Sequence, residues 1–344
     1  MRFEDILDQD TAKGILINSI QSGRLAHSYL FTGPHGVGKI MMAKALAASL
    51  NCPNSSGVDG CGRCVICRQI EQGGYPEFLI VAPEGNNIKI DQIRELQSRL
   101  CFAPAIGRFR IVIVDMAESM TEEASNSFLK TLEEPPQNNI LILNAEEADD
   151  LLPTIVSRCQ KIPFRPLGVQ VIAGFLEREK GVDGERAAVI AKISEGSLGK
   201  AISMLEEGFL ETRDQWLRIL GQCFDQPKGE LLETASKLVS SLKTKGRGKY
   251  KIGGLTDLLA LWATWYRDLM VLKQGGGEEL VINQDFRRTL KKVTRRYNIK
   301  SLVAILSLLD QAQRDLRRWH NPLLVMERTI LGIVKLGPEP QPIN

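Results

Sequence analysis

Residues 33–40 read Gly33-Pro34-His35-Gly36-Val37-Gly38-Lys39-Ile40, and the fold turns on how this stretch is read. Its first seven positions match G-x-x-x-x-G-K-[ST]. In that loop the glycines let backbone N–H groups wrap a phosphate, and the lysine reaches the terminal oxygens. The eighth position should carry a hydroxyl for Mg²⁺, but isoleucine offers nothing to a cation that demands oxygen ligands. A glycine-rich turn that binds nothing is the competing reading, and the flanks argue against it. Ser28-Tyr29-Leu30-Phe31 reads as a buried strand entering the loop, and Ile40 to Leu50, rich in Ala, Leu and Met, as a helix leaving it. The architecture of a nucleotide-binding ATPase is expected, without its magnesium chemistry.

Outward from the loop, short apolar runs alternate with helical patterns, as in an α/β domain with a parallel sheet. Phe78-Leu79-Ile80-Val81, Ile111-Val112-Ile113-Val114 and Asn139 to Leu143 supply three more strands. Thr121 can cap a helix that carries Phe128, Leu129 and Leu132 on one face and ends at Glu134-Pro135-Pro136. Asp115 follows the third strand, where such ATPases place the aspartate that supports Mg²⁺. The next residue, where a glutamate would polarise the attacking water, is Met116, and the nearest following carboxylate is Glu118. A thioether takes no proton from water at neutral pH. Ile40 and Met116 thus remove two separate catalytic functions, and hydrolysis at this site is not expected. Gly33, Gly36, Gly38, Lys39 and Asp115 remain as a degenerate nucleotide site, expected to be empty or structurally occupied; weak binding without turnover stays open.

Cys52, Cys61, Cys64 and Cys67 form C-x8-C-x2-C-x2-C, with Gly60 and Gly62 between them. Four thiolates at short spacing suit tetrahedral Zn²⁺, and an all-sulfur set leaves no position for water, so the metal is expected to be structural. A redox-active C-x2-C would not need the other two cysteines. Cys101, Cys159 and Cys223 stand alone and are expected in the core.

At 344 residues the chain is too long for one ordinary core. With 44 basic and 41 acidic residues, its whole-chain charge argues neither for nor against nucleic acid. Met1 to Asp10 has no secretory pattern and no apolar run is long enough to span a bilayer, so a cytoplasmic protein is expected. Composition shifts at Pro163-Phe164-Arg165-Pro166, after which helical periodicity runs to about Leu336. The expected division is an α/β domain at 1–166 holding the cysteine module, a small helical domain at 167–208 and a helical bundle at 209–336. A frayed tail is expected at 337–344. The basic stretch Lys243 to Gly254 and Gly275-Gly276-Gly277 interrupt the helical half. Two basic clusters occur there: Arg287, Arg288, Lys291, Lys292, Arg295 and Arg296 at i, i+4 spacing, and Lys243, Lys245, Arg247, Lys249 and Lys251. Either would attract a DNA backbone, but neither is interleaved with aromatics, and a solvated face is the favoured reading. His27, His35 and His320 show no ligand or triad spacing.

Several stretches together carry a family resemblance: His27-Ser28-Tyr29-Leu30-Phe31-Thr32-Gly33-Pro34, the cysteine insert after the loop's helix, Asn126-Ser127-Phe128-Leu129-Lys130-Thr131-Leu132-Glu133-Glu134-Pro135-Pro136, Leu151-Leu152-Pro153-Thr154-Ile155 and Ser157-Arg158-Cys159. The chain resembles the AAA+ subunits of the sliding-clamp loaders of bacterial DNA polymerase III, closely over about residues 1–205 and by length and type beyond. The resemblance implies a RecA-like α/β AAA+ domain with a zinc-binding insert, a helical lid and an all-α collar in a pentameric hetero-oligomeric ring. It implies γ/τ and δ subunits as partners, and the sliding clamp and primer-template DNA through the complex. Within the family, the altered loop resembles the non-hydrolysing δ′ stator type. A γ/τ motor would carry Ser or Thr at 40, Glu at 116 and a nucleotide-sensing arginine where this chain has Gly199 beside Lys200. Arg158, unremarkable alone, would by this resemblance reach in trans into a neighbour's ATP site. A γ/τ-like ATPase motor is the alternative, and a stand-alone DNA-binding protein a third reading.

Overall fold

A computed structural model describes residues 2–55, 57–242, 254–317 and 320–338 of the chain. The cluster at Lys243, Lys245, Arg247, Lys249 and Lys251, and the tail beyond 338, lie outside the described residues. The chain divides into two compact units, Met1–Gly168 with Gly196–Leu198, and Val169–Glu195 with Gly199–Asn344.

The first unit is built on five parallel strands: β1 (Ser28–Thr32), β2 (Phe78–Val81), β3 (Arg110–Val114), β4 (Asn139–Ala145) and β5 (Gln160–Pro163), in the order β2-β3-β4-β1-β5. Its helices are α1 (Asp10–Gln21), α2 (Lys39–Asn51), α3 (Val65–Gln72), α4 (Ile90–Leu100), α5 (Glu122–Glu133) and α6 (Pro153–Val156). Strands β3 and β4 are buried along their whole length, as their unbroken Ile, Val and Leu runs require of a sheet covered on both faces. Side chains alternate between those faces. Tyr29, Phe31, Ile111, Ile113, Ile140 and Ile142 join Met42 and Leu46 of α2 on one. Leu30, Val112, Val114, Leu141 and Leu143 join Ile93, Leu96 and Phe128 on the other.

The four expected strands are present, β2 with the expected bounds and the other three slightly longer, and Thr121 caps α5 by accepting the Ala124 N–H at 3.2 Å. Strand β5 was not anticipated. It is an edge strand with only Ile162 buried, so it carries almost no apolar signal. Cys101 corrects an expectation: Cys223 is buried and Cys159 half-buried, but Cys101 is exposed. It terminates α4, off the buried stripe of Ile93, Leu96 and Leu100, with its Sγ donating to Gln97 O.

The second unit is helical: α7 (Val169–Lys180), α8 (Gly184–Ile193), α9 (Leu198–Glu206), α10 (Phe209–Gln222), α11 (Lys228–Leu242), α12 (Leu255–Lys273), α13 (Arg287–Thr294), α14 (Ile299–Arg317) and α15 (Pro322–Leu336). Helix α12 packs on α14, and α15 packs on both α14 and α11. Trp262, Tyr266, Leu302, Ile305 and Met326 fill the core. Fully buried Asp268 accepts the Ile282 and Asn283 N–H groups, and buried Arg213 pairs with Asp285, so these buried charges are partnered as burial demands. Among the described residues no helix is long and apolar enough to cross a membrane.

Candidate functional site

Parallel α/β sheets present ligands at the carboxyl ends of their strands, and the phosphate loop leaves β1 at that edge. Gly33 has φ +137°, and a Cβ there would run into the Phe164 backbone. Its N–H donates to Glu146 O at 2.9 Å. Gly36 and Gly38 adopt left-handed backbone, φ 77° and 109°, which turns successive N–H groups inward as an anion nest requires. Lys39 opens α2 and is buried, its Nζ donating to the carbonyls of Gly33, Pro34 and Ala145. Ile40 packs against the core cluster of β1 and α2.

Asp115 follows β3, buried, with its Oδ1 accepting Asn144 Nδ2 at 3.0 Å. Asn144, near the end of β4, is itself buried, and its Oδ1 has no hydrogen-bond partner among the described residues. Met116 is exposed in left-handed backbone, φ 56°. Glu118 lies in the short turn Ala117–Ser119. Its Oε1 is 3.6 Å from His35 Nε2, which is also 3.5 Å from Glu146 Oε1. Burial pushes the Glu118 carboxyl above its ordinary range, with Glu146 adding to the rise and His35 and Lys39 opposing it. The structure therefore gathers the loop, Lys39 and Asp115, and adds Asn144, Glu146 and His35, which spacing alone did not select. Glycine nest and lysine fit a phosphate. The oxygen at position 40 and the carboxylate at 116 that Mg²⁺-dependent hydrolysis needs are not there.

The cysteine cluster forms where α2 ends and α3 begins. Cys52 is the last-turn cap of α2, Cys64 the N-cap of α3, and Cys67 lies in the first turn of α3. Gly60 presses on Ala48, where a Cβ would stand 2.9 Å from the alanine's own, and Gly62 has φ 71°. All four Sγ atoms lie within 4.8 Å of one another, and Cys52 and Cys64 are 3.8 Å apart. A tetrahedron with bonds of about 2.3 Å has edges of about 3.8 Å, so the set fits zinc. Backbone N–H groups of Cys61, Cys64 and Cys67 donate to the sulfurs of Cys52, Cys61 and Cys64 at 3.3, 3.3 and 3.4 Å, which favours thiolates. Backbone donors at Arg63 and Cys64 bring the Cys61 thiol down to about 6, while burial pushes Cys67 up to about 12. Zinc there would be closed to water and would brace α2 against α3.

Arg158 lies just before β5. Its guanidinium pairs with Glu133 at the end of α5 and donates to Thr154 O at 2.9 Å and Ser157 Oγ at 3.3 Å. Gln160 is in register with Tyr29, so Arg158 is level with the residues that precede β1. The phosphate loop leaves β1 at the other end, about 20 Å away along the strand direction at ~3.3 Å per residue. Arg158 is therefore not part of its own chain's loop site. Gly199 lies in the first turn of α9, and Lys200 pairs with Glu195 at 3.8 Å. The residues from Arg287 to Arg296 lie on or just beyond α13, in the second unit.

The family described as "DNA polymerase III, delta subunit" matches residues 8–168, and "DNA polymerase III, delta subunit, C terminal" matches 208–335. The chain is 31% identical to the DNA polymerase III subunit delta' of Bacillus subtilis, over 92% of this chain and 93% of that one. It is 26% identical to the subunit tau of the same organism, over 96% of this chain but 61% of tau. With the subunit tau of Escherichia coli it shares 35% identity over 60% of this chain and 32% of tau. It spans less than two thirds of either tau but nearly all of the delta' relative. On the phosphate loop, the parallel sheet and these matches together, the chain belongs to the clamp-loader subunits of bacterial DNA polymerase III, and within them it is delta prime-like.

Proposed function

We propose that this chain is a stator of the clamp loader: it does not hydrolyse ATP itself and supplies Arg158 in trans to the ATP site of a neighbouring γ/τ subunit. One observation carries the reading: Arg158 stands at the amino-terminal end of the strands, whereas its own chain's loop leaves β1 at the carboxyl end, so any phosphate it serves belongs to another subunit. Ile40, turned into core packing, and Met116 support a silent site. Residues 167–208 would form the lid and 209–336 the collar of a cytoplasmic hetero-oligomeric ring that includes γ/τ and δ and acts on the sliding clamp and primer-template DNA. Zinc held by Cys52, Cys61, Cys64 and Cys67 would be structural.

The chain's own residues then divide the work. Lys39, Gly36 and Gly38 keep a phosphate-shaped nest without turnover. Arg158 would stabilise negative charge developing on a transferring phosphoryl group. Arginine fingers are worth about 10³–10⁵ in rate. The test is DNA- and clamp-stimulated ATP turnover by the reconstituted loader with the native chain or Arg158→Ala. A fall of at least about 10³-fold per affected site is expected, and unchanged turnover overturns the role in trans. Turnover by the isolated native chain, abolished in Lys39→Ala, would instead establish the motor reading.

A further inference from the structure

Between Asp285 and Asp310 the chain has no acidic residue and seven basic ones. Six of these, Arg287, Arg288, Lys291, Lys292, Arg295 and Arg296, are all exposed on α13 and the turn that follows it. The helical period explains the arrangement. Leu290, Thr294 and the partly buried Val293 occupy one side of the helix, with Tyr297 buried just beyond it. At about 100° per residue, the six cations cover the opposite half-turn without interruption. Arg288, Lys292, Arg295 and Arg296 make no ion pair among the described residues. The nearest carboxylate in sequence, Asp285, is already taken by buried Arg213. A solvated face ordinarily mixes both signs; here carboxylates gather only at the start of the helix, where Arg287 lines a cavity with Glu211, Asp214 and Asp285, and the stretch from Arg288 to Arg296 carries none.

The charge continues past the helix. A cavity of about 540 Å³ opens beside it, lined by Arg296, Asn298, Ser301 and Lys335 and by no acidic residue. Its polar lining adds donors to the cations at the same edge. Cations at i and i+4 repeat every ~6 Å in two adjacent rows, a pattern suited to a line of phosphates. Single-strand binders add aromatic platforms for unstacked bases; no aromatic residue occurs from 287 to 296, and Tyr297, which also lines the cavity, is buried.

We propose that the exposed face of α13, with the adjoining cavity, is a docking surface for the phosphate backbone of duplex DNA. Binding is electrostatic and indifferent to sequence, and it is separate from the phosphate loop and from Arg158. The proposal stands or falls independently of the stator reading, because it involves no nucleotide and no subunit neighbour.

The test is fluorescence anisotropy of the full chain with a blunt duplex across a NaCl series. Engaging the four unpaired cations gives a slope of log K against log salt of about −3.6, or about 150-fold weaker binding between 50 and 200 mM salt. Arg288→Gln, Lys292→Gln, Arg295→Gln and Arg296→Gln together should remove about that much of the slope. Arg288→Lys with Arg295→Lys and Arg296→Lys should retain it. If the fourfold variant does not fold, Arg288→Gln with Lys292→Gln should lower the slope by about 1.8. Unchanged affinity and slope in the neutralised variants overturn the proposal. Tighter binding of a single strand, or equal competition by poly-glutamate at equal charge, overturns the assignment to duplex DNA.

Discussion

Ile40 occupies the position of a magnesium-binding hydroxyl but packs against the core, and Met116 puts a thioether in exposed, left-handed backbone where a carboxylate would be needed. In the same loop as Ile40, His35 stands within 3.6 Å of both Glu118 and Glu146. Glu118 carries a raised carboxyl pKa. Burial is the main cause of its raised carboxyl pKa, so the folded state holds that proton more tightly than the unfolded chain. Such a group stabilises fully below the unfolded pKa of ~4.3, and the contribution is lost as pH rises through the folded value. Glu118→Gln should therefore match the native chain in acid and become the more stable of the two as pH rises. Urea midpoints across the pH range test this; a difference that stays constant with pH would count against it. The two altered positions were legible in the sequence because each breaks a fixed spacing. The His35 contacts were not, because Glu118 and Glu146 reach the loop only once β3 and β4 lie beside β1.

The connection from α4 to β3 exposes Phe102 and Ile106, yet its backbone is held by four buried side chains. Glu77 Oε1 accepts the Ala105 N–H at 2.6 Å while Oε2 pairs with Arg110 Nε at 2.6 Å. Arg110 Nη1 donates to the carbonyls of Arg99 and Phe102, both at 2.8 Å. Tyr75 donates to Ile106 O at 2.8 Å, and Asn51 Oδ1 accepts the Arg108 N–H at 2.9 Å. Removing one partner of a buried, hydrogen-bonded ion pair leaves an uncompensated charge, at a cost of about 3–5 kcal/mol. Glu77→Ala should destabilise the chain by about that amount in denaturant unfolding, and Glu77→Ala with Arg110→Ala by less than the sum of the singles. Additive losses would show that the pair is not coupled. Nothing in the sequence announced this network, since its members come from α2, the segment before β2, and β3. The strands themselves were legible from their apolar runs, and Thr121 from its capping chemistry. Strand β5 was hidden because Ile162 alone is buried there.

Each of the two units has its own apolar core, and the cysteine cluster belongs wholly to the first. The tryptophans, at 216, 262, 265 and 319, all fall within the second unit's range, and Trp262 is fully buried with its Nε1 donating to Trp216 O at 3.1 Å. Tryptophan fluorescence therefore reports on the second unit, whereas far-ultraviolet circular dichroism registers both. One Zn²⁺ per chain is expected by elemental analysis after reducing, chelator-free purification, and Cys64→Ser should abolish it. Metal bound to native ligands stabilises only the structure that holds them. Structural zinc in small peptides contributes about 10–16 kcal/mol, and a unit with a sheet and two apolar faces depends on it less. Chelation or Cys64→Ser should thus lower the dichroism-detected melting temperature of the first unit and leave the fluorescence-detected transition in place. Coincident shifts in both signals would mean that the chain unfolds as one cooperative body, and an unshifted dichroism transition would mean that the metal does not brace α2 against α3.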